Sequence, residues 1–208
     1  MPQNQVPDVV VRRLPLYLQA LKHLAEQGRT LVSSTELGEW VGVTSAQIRK
    51  DLSYFGEFGT PGLGYEIETL VAALQRILQL DQDWHVVIIG AGALGHALAN
   101  YRGFAEHRFL IVGVFDVSPA VIGTSIGDLA VQPMEQLART VRERHVEIAI
   151  LAVPARAAQA VADQIVSCGV RAILNYAPMA LSTPPEVHVT YIDPIARLQA
   201  MTFYLQQT

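Results

Sequence analysis

The sequence predicts an α/β protein in which a small helical domain precedes a doubly wound parallel sheet. Apolar residues recur at helical spacing up to Leu80, whereas short buried strands alternate with amphipathic helices from His85 onward. Half of the 208 residues are apolar and 16% are charged, which is typical of a chain that forms a core. The two patterns meet at residues 81–83, so the expected parts are domains at 1–80 and 84–192 and a C-terminal segment at 193–208.

The composition excludes several classes of protein. Cys168 is the only cysteine, which excludes an intrachain disulfide and a cysteine-based zinc cluster. No apolar run reaches the length of about 18 residues that a membrane span needs, and the N-terminus does not read as a signal peptide. We therefore expect a cytoplasmic protein with no membrane or metal partner. Residues 1–65 carry six basic and six acidic side chains, so the net charge of −4 arises further along and leaves room for a local basic surface.

Two helices are predicted ahead of a tight turn at Gly42-Val43. The first ends near Gly28, and the second runs from Ser34 to about Val41 with Ser33 or Ser34 as its N-cap. The first helix is expected to bury one face at helical spacing, formed by Leu14, Leu18, Leu21 and Ala25.

A third helix completes a helix-turn-helix pattern. Thr44 is its expected N-cap, and Gln47 three residues later completes a capping-box pattern. If Ile48, Leu52 and Phe55 face inward, the opposite face and its flanks carry side chains that suit a DNA major groove, because Arg, Lys and Gln read base edges or phosphates. The expected DNA contacts on this helix are Ser45, Ala46, Gln47, Arg49, Lys50, Ser53 and Tyr54.

The segment from Glu57 to Tyr65 predicts a hairpin that would serve as the wing of a winged-helix domain. Glycines and a proline lie between aromatic residues, and the tip has so little side-chain bulk that its backbone would fit a minor groove. The alternative is a small helical interaction module whose basic residues are solvated. The expected contacts of the wing are Phe58, Gly59, Thr60, Gly62 and Tyr65.

A dinucleotide site is predicted where the first strand of the sheet ends. The run Gly90-Ala91-Gly92-Ala93-Leu94-Gly95 follows that strand and opens a helix, as in the GxGxxG loop of a Rossmann fold. Asp116 ends the next strand and is expected to accept hydrogen bonds from the ribose hydroxyls, which favours NADH and NAD+ over their 2′-phosphorylated forms. The alternative role for Asp116 is to form a turn with Ser118-Pro119.

Further residues at the predicted carboxyl ends of strands complete the expected cofactor site, because ligands bind at that edge of such sheets. Tyr101 and Phe104 are expected at the nicotinamide end, with plain core packing as the alternative. For Asn175, a structural role in the turn before Pro178 stands beside ligand contact. The full expected set is Gly90, Gly92, Ala93, Leu94, Gly95, Tyr101, Phe104, Asp116, Val117, Ile122, Val153, Pro154, Asn175, Ala177 and Pro178.

Acid–base equipment for catalysis is not evident in the sequence. None of the six histidines is paired by sequence with a carboxylate at a strand end, so no catalytic residue is assigned. This argues against an enzyme and leaves a protein that binds both DNA and a dinucleotide as the leading interpretation from the residues alone. A small NAD-dependent oxidoreductase with an accessory helical domain and a nucleotide-binding scaffold without DNA remain as alternatives.

Several sequence blocks together resemble those of a known family over essentially the whole chain. The most specific block is VTSAQIRKDLSYFG at 43–56, on the third helix. The others are FGTPGLGY at 58–65, GAGALG at 90–95, YRGF at 101–104, FD at 115–116, IG at 122–123 and ILNYAP at 173–178. In these blocks the chain resembles the Rex family of redox-sensing transcriptional repressors.

The resemblance implies a homodimer that binds an inverted-repeat operator in double-stranded DNA and is released by NADH. It also implies that the last helix is exchanged between subunits, which gives the orphan amphipathic segment from Ile195 to Gln206 a place. The chain departs from the family at Pro194, which follows Asp193, and at Thr60, where the wing often has Lys or Arg. At Gln19 some members have an Arg that pairs with the matching Asp, a role for which Arg12 or Arg13 are the candidates here.

The expected switch lies at the nicotinamide ring, which is cationic in NAD+ and neutral in NADH. Burial of an unpaired cation is costly, so an apolar pocket would favour NADH and a closed dimer. We expect Tyr101 and Asp193 to carry the coupling to DNA, while Gly90, Gly92 and Asp116 carry affinity.

Overall fold

The computed structural model describes residues 6–60 and 62–205. The chain divides into two compact units, and the boundary falls between Gln82 and Asp83. This boundary lies inside the segment expected to be a linker. Gln206, which the sequence places in the last helix, lies outside the described residues.

The first unit has the architecture of a winged-helix domain. Its sheet is antiparallel with the strand order β1-β3-β2, and the β2–β3 hairpin confirms the predicted wing. Strand β1 was not expected, because two residues are too short to show a period. The elements are α1 (Asp8–Val11), α2 (Leu14–Glu26), β1 (Leu31–Val32), α3 (Ser34–Val41), α4 (Ser45–Ser53), β2 (Gly59–Thr60), β3 (Gly64–Glu66) and α5 (Ile67–Ile77).

Side chains at helical spacing build the core of this unit. Leu14, Leu18 and Leu21 are buried as predicted, but Ala25 is exposed and Leu24 takes its place. The prediction for Ala25 is wrong because the buried stripe of α2 continues through Leu24, which leaves the next residue on the solvent side.

Both helices of the helix-turn-helix begin at a side-chain cap. Ser33 Oγ accepts from the Glu36 N–H at 3.1 Å, and Thr44 Oγ1 accepts from the Gln47 N–H at 3.2 Å. The reciprocal half of the expected capping box is absent among these contacts, because the Gln47 side chain donates instead to Asp51. Gly42 ends α3 in the left-handed conformation, with φ of 75°.

The second unit confirms the doubly wound α/β sheet. Its strand order is β10-β9-β8-β4-β5-β7-β6, and only β6 runs antiparallel to its neighbour. From β4 the chain winds outward through β5 and β7 and then returns to wind through β8, β9 and β10 on the other side. The elements are β4 (Trp84–Ile89), α6 (Ala93–Ala99), α7 (Gly103–Glu106), β5 (Phe109–Asp116), β6 (Ser125–Ile126), β7 (Leu129–Pro133), α8 (Leu137–Glu143), β8 (Ile148–Leu151), α9 (Ala155–Ser167), β9 (Ala172–Asn175), β10 (His188–Tyr191) and α10 (Pro194–Leu205).

Both faces of the sheet are covered, as parallel strands require. Val87 and Ile89 of β4 belong to one apolar cluster, and Val86 and Ile88 belong to another on the opposite face. Between residues 117 and 133 the β6–β7 hairpin was not predicted, and α6 ends at Ala99 rather than at Tyr101.

Helix α10 presents apolar side chains to solvent. None of its described residues is buried in the single chain. Pro194 occupies its first position, where the missing N–H costs nothing and the fixed φ suits a helix, so this departure from the family is compatible with the same element. Among the described residues, no helix combines the length and apolar character needed to cross a membrane.

Candidate nucleic-acid interface and dinucleotide site

The loop after β4 has the backbone geometry that the GxGxxG pattern predicts. Gly90 has φ of +106°, and its N–H donates to the Phe115 carbonyl at 2.8 Å, which fixes the loop against β5. A Cβ on Gly95 would collide with the Gly90 carbonyl oxygen, so the helix approaches the loop closely only because this position is glycine. A Cβ on Gly92 would meet no atom within 4 Å. The loop is therefore tight on its protein side and open at Gly92.

Asp116 contacts the backbone of this loop directly. Its Oδ2 accepts from the Ala91 N–H at 2.7 Å, and its Oδ1 accepts from the Ser118 N–H at 2.8 Å. The turn role that the sequence left open for Asp116 is thus observed. Each carboxylate oxygen can accept more than one hydrogen bond, so the single contact to each Asp116 oxygen leaves capacity for a bound hydroxyl.

The sheet register brings the other expected residues to the same edge. The last residues of β4 pair with those of β5 and β8, and the end of β8 pairs with the end of β9, so four carboxyl ends are level. Half-buried Val153 and exposed Pro154 follow β8, and exposed Pro178 lies beyond β9. Around the loop and the end of β5, the exposed members are Gly92, Ala93, Leu94 and Val117, and Ile122 is half-buried.

Asn175 takes the structural role that the sequence left open beside ligand contact. It is fully buried; its Nδ2 donates to the Ala177 and Met179 carbonyls at 3.2 and 3.0 Å, and its Oδ1 accepts from the Ala177 N–H at 2.9 Å. All of these bonds lie within the chain, so Asn175 shapes the loop that carries Pro178. Ala177 is also buried, in the apolar core.

Tyr101 and Phe104 form an edge-to-face aromatic pair between α6 and β5. Their ring centroids lie 5.3 Å apart at an interplanar angle of 89°. Phe104 packs on an apolar cluster of the sheet, whereas Tyr101 is 63% exposed. The alternative of plain core packing therefore fits Phe104 and does not fit Tyr101.

Asp193 begins α10. Its Oδ1 accepts from the Ala196 N–H at 3.0 Å, which caps the helix. Arg12 pairs with Asp8 and Arg13 with Asp51, so both candidate partners of Asp193 are engaged elsewhere.

The exposed face of α4 presents the expected polar side chains. Ala46, Lys50, Ser53 and Tyr54 are exposed, and Ser45 is half-buried. Arg49 is exposed but bridges to α3, since its Nη1 donates to Ser34 Oγ at 2.9 Å.

The wing exposes its tip and buries its aromatic residues. Gly59, Thr60 and Gly62 are exposed, in agreement with the expected surface. Tyr65 is only 7% exposed, and Phe58 packs against the same core. Both were expected to contact DNA; the structure places Tyr65 in the core, because alternate residues of a strand face opposite sides.

A buried carboxylate cluster behind α4 was not found by sequence reasoning. Asp51 is fully buried and accepts from Arg13 Nε and Nη2 at 2.6 and 2.9 Å and from the Tyr17 hydroxyl at 2.6 Å. Burial acts to raise the pKa of Asp51, but the hydrogen bonds from Arg13, Tyr17 and Gln47 outweigh it, so the pKa lies below its ordinary value. Burial together with the bond to Asp51 raises the pKa of Tyr17.

Comparisons with known proteins agree with both units. A family model described as "Putative DNA-binding protein N-terminus" matches residues 5–53, and one described as "CoA binding domain" matches residues 81–179. The redox-sensing transcriptional repressor Rex of Chloroflexus aggregans is 55% identical over 97% of this chain and 95% of its own. Rex of Carboxydothermus hydrogenoformans is 46% identical over 98% of each chain.

Solved structures give the same result. The protein RSP in complex with NAD+ and operator DNA is 38% identical, covers 97% of this chain and 93% of its own, and has a TM-score of 0.92. RSP in complex with NADH is 36% identical, covers 98% and 96%, and has a TM-score of 0.88.

A winged helix followed by a dinucleotide-type sheet defines a ligand-responsive transcriptional regulator. The sequence identity to Rex repressors over nearly the whole chain assigns it to a particular family of such regulators. The chain belongs to the Rex family of redox-sensing transcriptional repressors, and it is a regulator and not an enzyme.

Proposed function

We propose that this chain is a homodimeric repressor that binds an inverted-repeat operator, senses the NADH/NAD+ ratio and leaves the operator when NADH binds. The observation that carries the proposal is the presence, in one chain, of an exposed basic face on α4 and an open glycine loop beside Asp116. The solved relative RSP, in complex with NAD+ and operator DNA and separately with NADH, supports it.

The residues at the sheet edge fit a bound NADH or NAD+. The open side of Gly92 admits a pyrophosphate beside the N–H groups that begin α6, and Asp116 accepts from the ribose hydroxyls. The bound cofactor supplies a nicotinamide that is cationic when oxidised and neutral when reduced. Tyr101 is the exposed aromatic residue assigned to shield that ring, and Asp193 is the group assigned to change partner between the two states.

The exposed side chains of α10 support a homodimer in which this helix is exchanged as a separate element at 193–208. A single chain leaves these apolar groups in water, and a second copy would bury them. They are Ile195, Leu198, Met201, Phe203, Tyr204 and Leu205. Because the proposed partner is cellular DNA, we place the protein in the cytoplasm.

The test of this function is the affinity of the full chain for a duplex that carries the inverted repeat. We expect NADH to weaken the complex and NAD+ to do so much less. Lys50→Ala should weaken binding in both half-sites and reduce the slope of log affinity against log salt, by about 0.9 for each phosphate that is no longer neutralised. In the described part of the chain Lys50 makes no ion pair, so we expect Lys50→Ala to keep the parent's fold.

The matched control is Lys22→Ala, an exposed change on α2 outside the helix-turn-helix. Operator affinity that is unchanged in Lys50→Ala, or equally lowered by NADH and NAD+, contradicts the proposal.

Cofactor choice gives a second prediction. Asp116→Ala should lower NADH affinity by about tenfold to a hundredfold, because hydrogen bonds to a charged acceptor contribute about 1.5–3 kcal/mol. It should also relax the rejection of NADPH, since a carboxylate repels a 2′-phosphate. Titration calorimetry with both cofactors measures this effect, and Asp128→Ala, in the exposed β6–β7 turn, is the control. If the parent protein binds NADPH as tightly as NADH, the assignment of Asp116 is wrong.

A further inference from the structure

Gln47 is tied to a buried acceptor within its own helix. Its Nε2 donates to Asp51 Oδ1 at 2.6 Å, one turn further along α4. Gln47 itself is half-buried at the border of the exposed face, whereas Asp51 is completely buried behind it. The amide therefore stands between the core and the surface assigned to DNA.

The Asp51 carboxylate is fixed in place and acts only as a hydrogen-bond acceptor. Arg13 holds both oxygens of Asp51, and the buried Tyr17 hydroxyl holds one of them from α2. The lowered pKa of Asp51 keeps the carboxylate ionised at neutral pH, and an ionised carboxylate only accepts hydrogen bonds. The Gln47 amide must therefore turn its nitrogen towards Asp51, because a flipped amide would set its carbonyl oxygen against the carboxylate.

We propose that Asp51 is a positioning residue for base recognition. It fixes the orientation of the Gln47 amide before DNA binds, so that the amide reads adenine and rejects guanine. With one N–H held by Asp51, the amide presents Oε1 as an acceptor and its remaining N–H as a donor. Adenine offers the complementary N6–H donor and N7 acceptor in the major groove, whereas guanine offers only acceptors. This inference rests on the proposed function and names a specificity element of the same DNA-binding site.

Presetting also reduces the cost of binding. A free glutamine side chain is rich in rotamers and must be immobilised when it docks on a base. The bond to Asp51 restricts the Gln47 amide before DNA arrives, so less conformational entropy is lost in the complex.

The experiment is selection by the full chain, without cofactor, from a pool of duplexes that carry two randomised half-sites as an inverted repeat. Sequencing of the bound fraction gives the base preference at each position. We expect the parent to prefer adenine over guanine at one position of each half-site. Gln47→Met, which keeps the Arg13–Asp51 pair, should lower that preference by about tenfold and leave the other positions unchanged.

A second variant separates positioning from contact. In Asp51→Asn the neutral amide can turn either its oxygen or its nitrogen to Gln47, so the adenine preference should fall although Gln47 is present. In the double variant Gln47→Met/Asp51→Asn, the base preference should be the same as in Gln47→Met alone. Gln75→Met on α5 makes the same exchange outside the recognition helix and should keep the parent's profile.

The outcomes are distinct. An unchanged adenine preference in Gln47→Met, or a parent with no such preference, overturns the inference and leaves the proposed function standing. A preference that survives in a folded Asp51→Asn variant assigns recognition to Gln47 alone and overturns the positioning role. If that variant does not fold, Arg13→Lys replaces it, because one ammonium cannot hold both oxygens of Asp51. A preference that falls in Arg13→Lys supports the positioning role, and one that survives overturns it. A parent that enriches no duplex at all overturns the proposed function as well.

Discussion

Replacement of Asp51 by alanine is expected to lower the free energy of unfolding of the first unit by about 3–5 kcal/mol. The change leaves the Arg13 guanidinium, whose side chain is only 19% exposed, and the buried Tyr17 hydroxyl without their shared acceptor. Hydrogen exchange of the amides in α2 and α4 of the full chain measures this loss, and the rates should rise by about a hundredfold or more.

The control for this variant is Asp8→Ala. It removes an ion pair to Arg12 in which both side chains are more than half exposed, so its effect should stay below about 1 kcal/mol. Equal effects of the two changes would show that the buried cluster does not stabilise the unit.

The same carboxylate predicts a dependence on acid. Since the pKa of Asp51 is lowered on folding, its stabilisation is present above the unfolded pKa of about 3.9 and is lost as the pH falls through the folded value. Hydrogen exchange in the first unit should therefore show less stability near pH 3 than near pH 6. This part of the pH dependence should be absent in Asp51→Ala.

The second large effect is expected in the glycine loop, where Gly95→Ala should produce a repressor that responds only to higher concentrations of NADH. The new Cβ would collide with the Gly90 carbonyl oxygen, and the shift that relieves the overlap costs about 1–3 kcal/mol. If the whole cost falls on the bound loop, NADH affinity drops by about fivefold to a hundredfold. Operator release at increasing NADH concentration measures the loss.

Gly92→Ala is the informative partner of this variant. A Cβ there has no protein atom within 4 Å, so the thermal stability of the second unit should be unchanged. The methyl group nevertheless occupies the side from which a pyrophosphate would approach, so NADH affinity should still fall. NADH binding that is normal in Gly92→Ala would show that the phosphates bind elsewhere.

Local patterns in the sequence determined the class of this protein. The helix-turn-helix was evident from the cap at Thr44 and the apolar stripe of Ile48 and Leu52, and the sheet from short apolar runs between helices. The glycine loop was evident because its backbone geometry requires glycine at Gly90 and Gly95, and this requirement appears in the sequence as the short GxGxxG motif. Such signals are readable because each depends on residues close together in the chain.

Only the tertiary structure decided which polar side chains face a ligand and which hold the fold. Arg13 and Tyr17 reach Asp51 across 38 and 34 residues of sequence, and no local period marks such a pair. From the sequence, Asn175 was equally suited to ligand contact and to a turn. In the structure it is buried, and its amide forms hydrogen bonds with the backbone of its own loop. Burial and partner choice arise when distant segments pack together, so spacing along the chain cannot specify them.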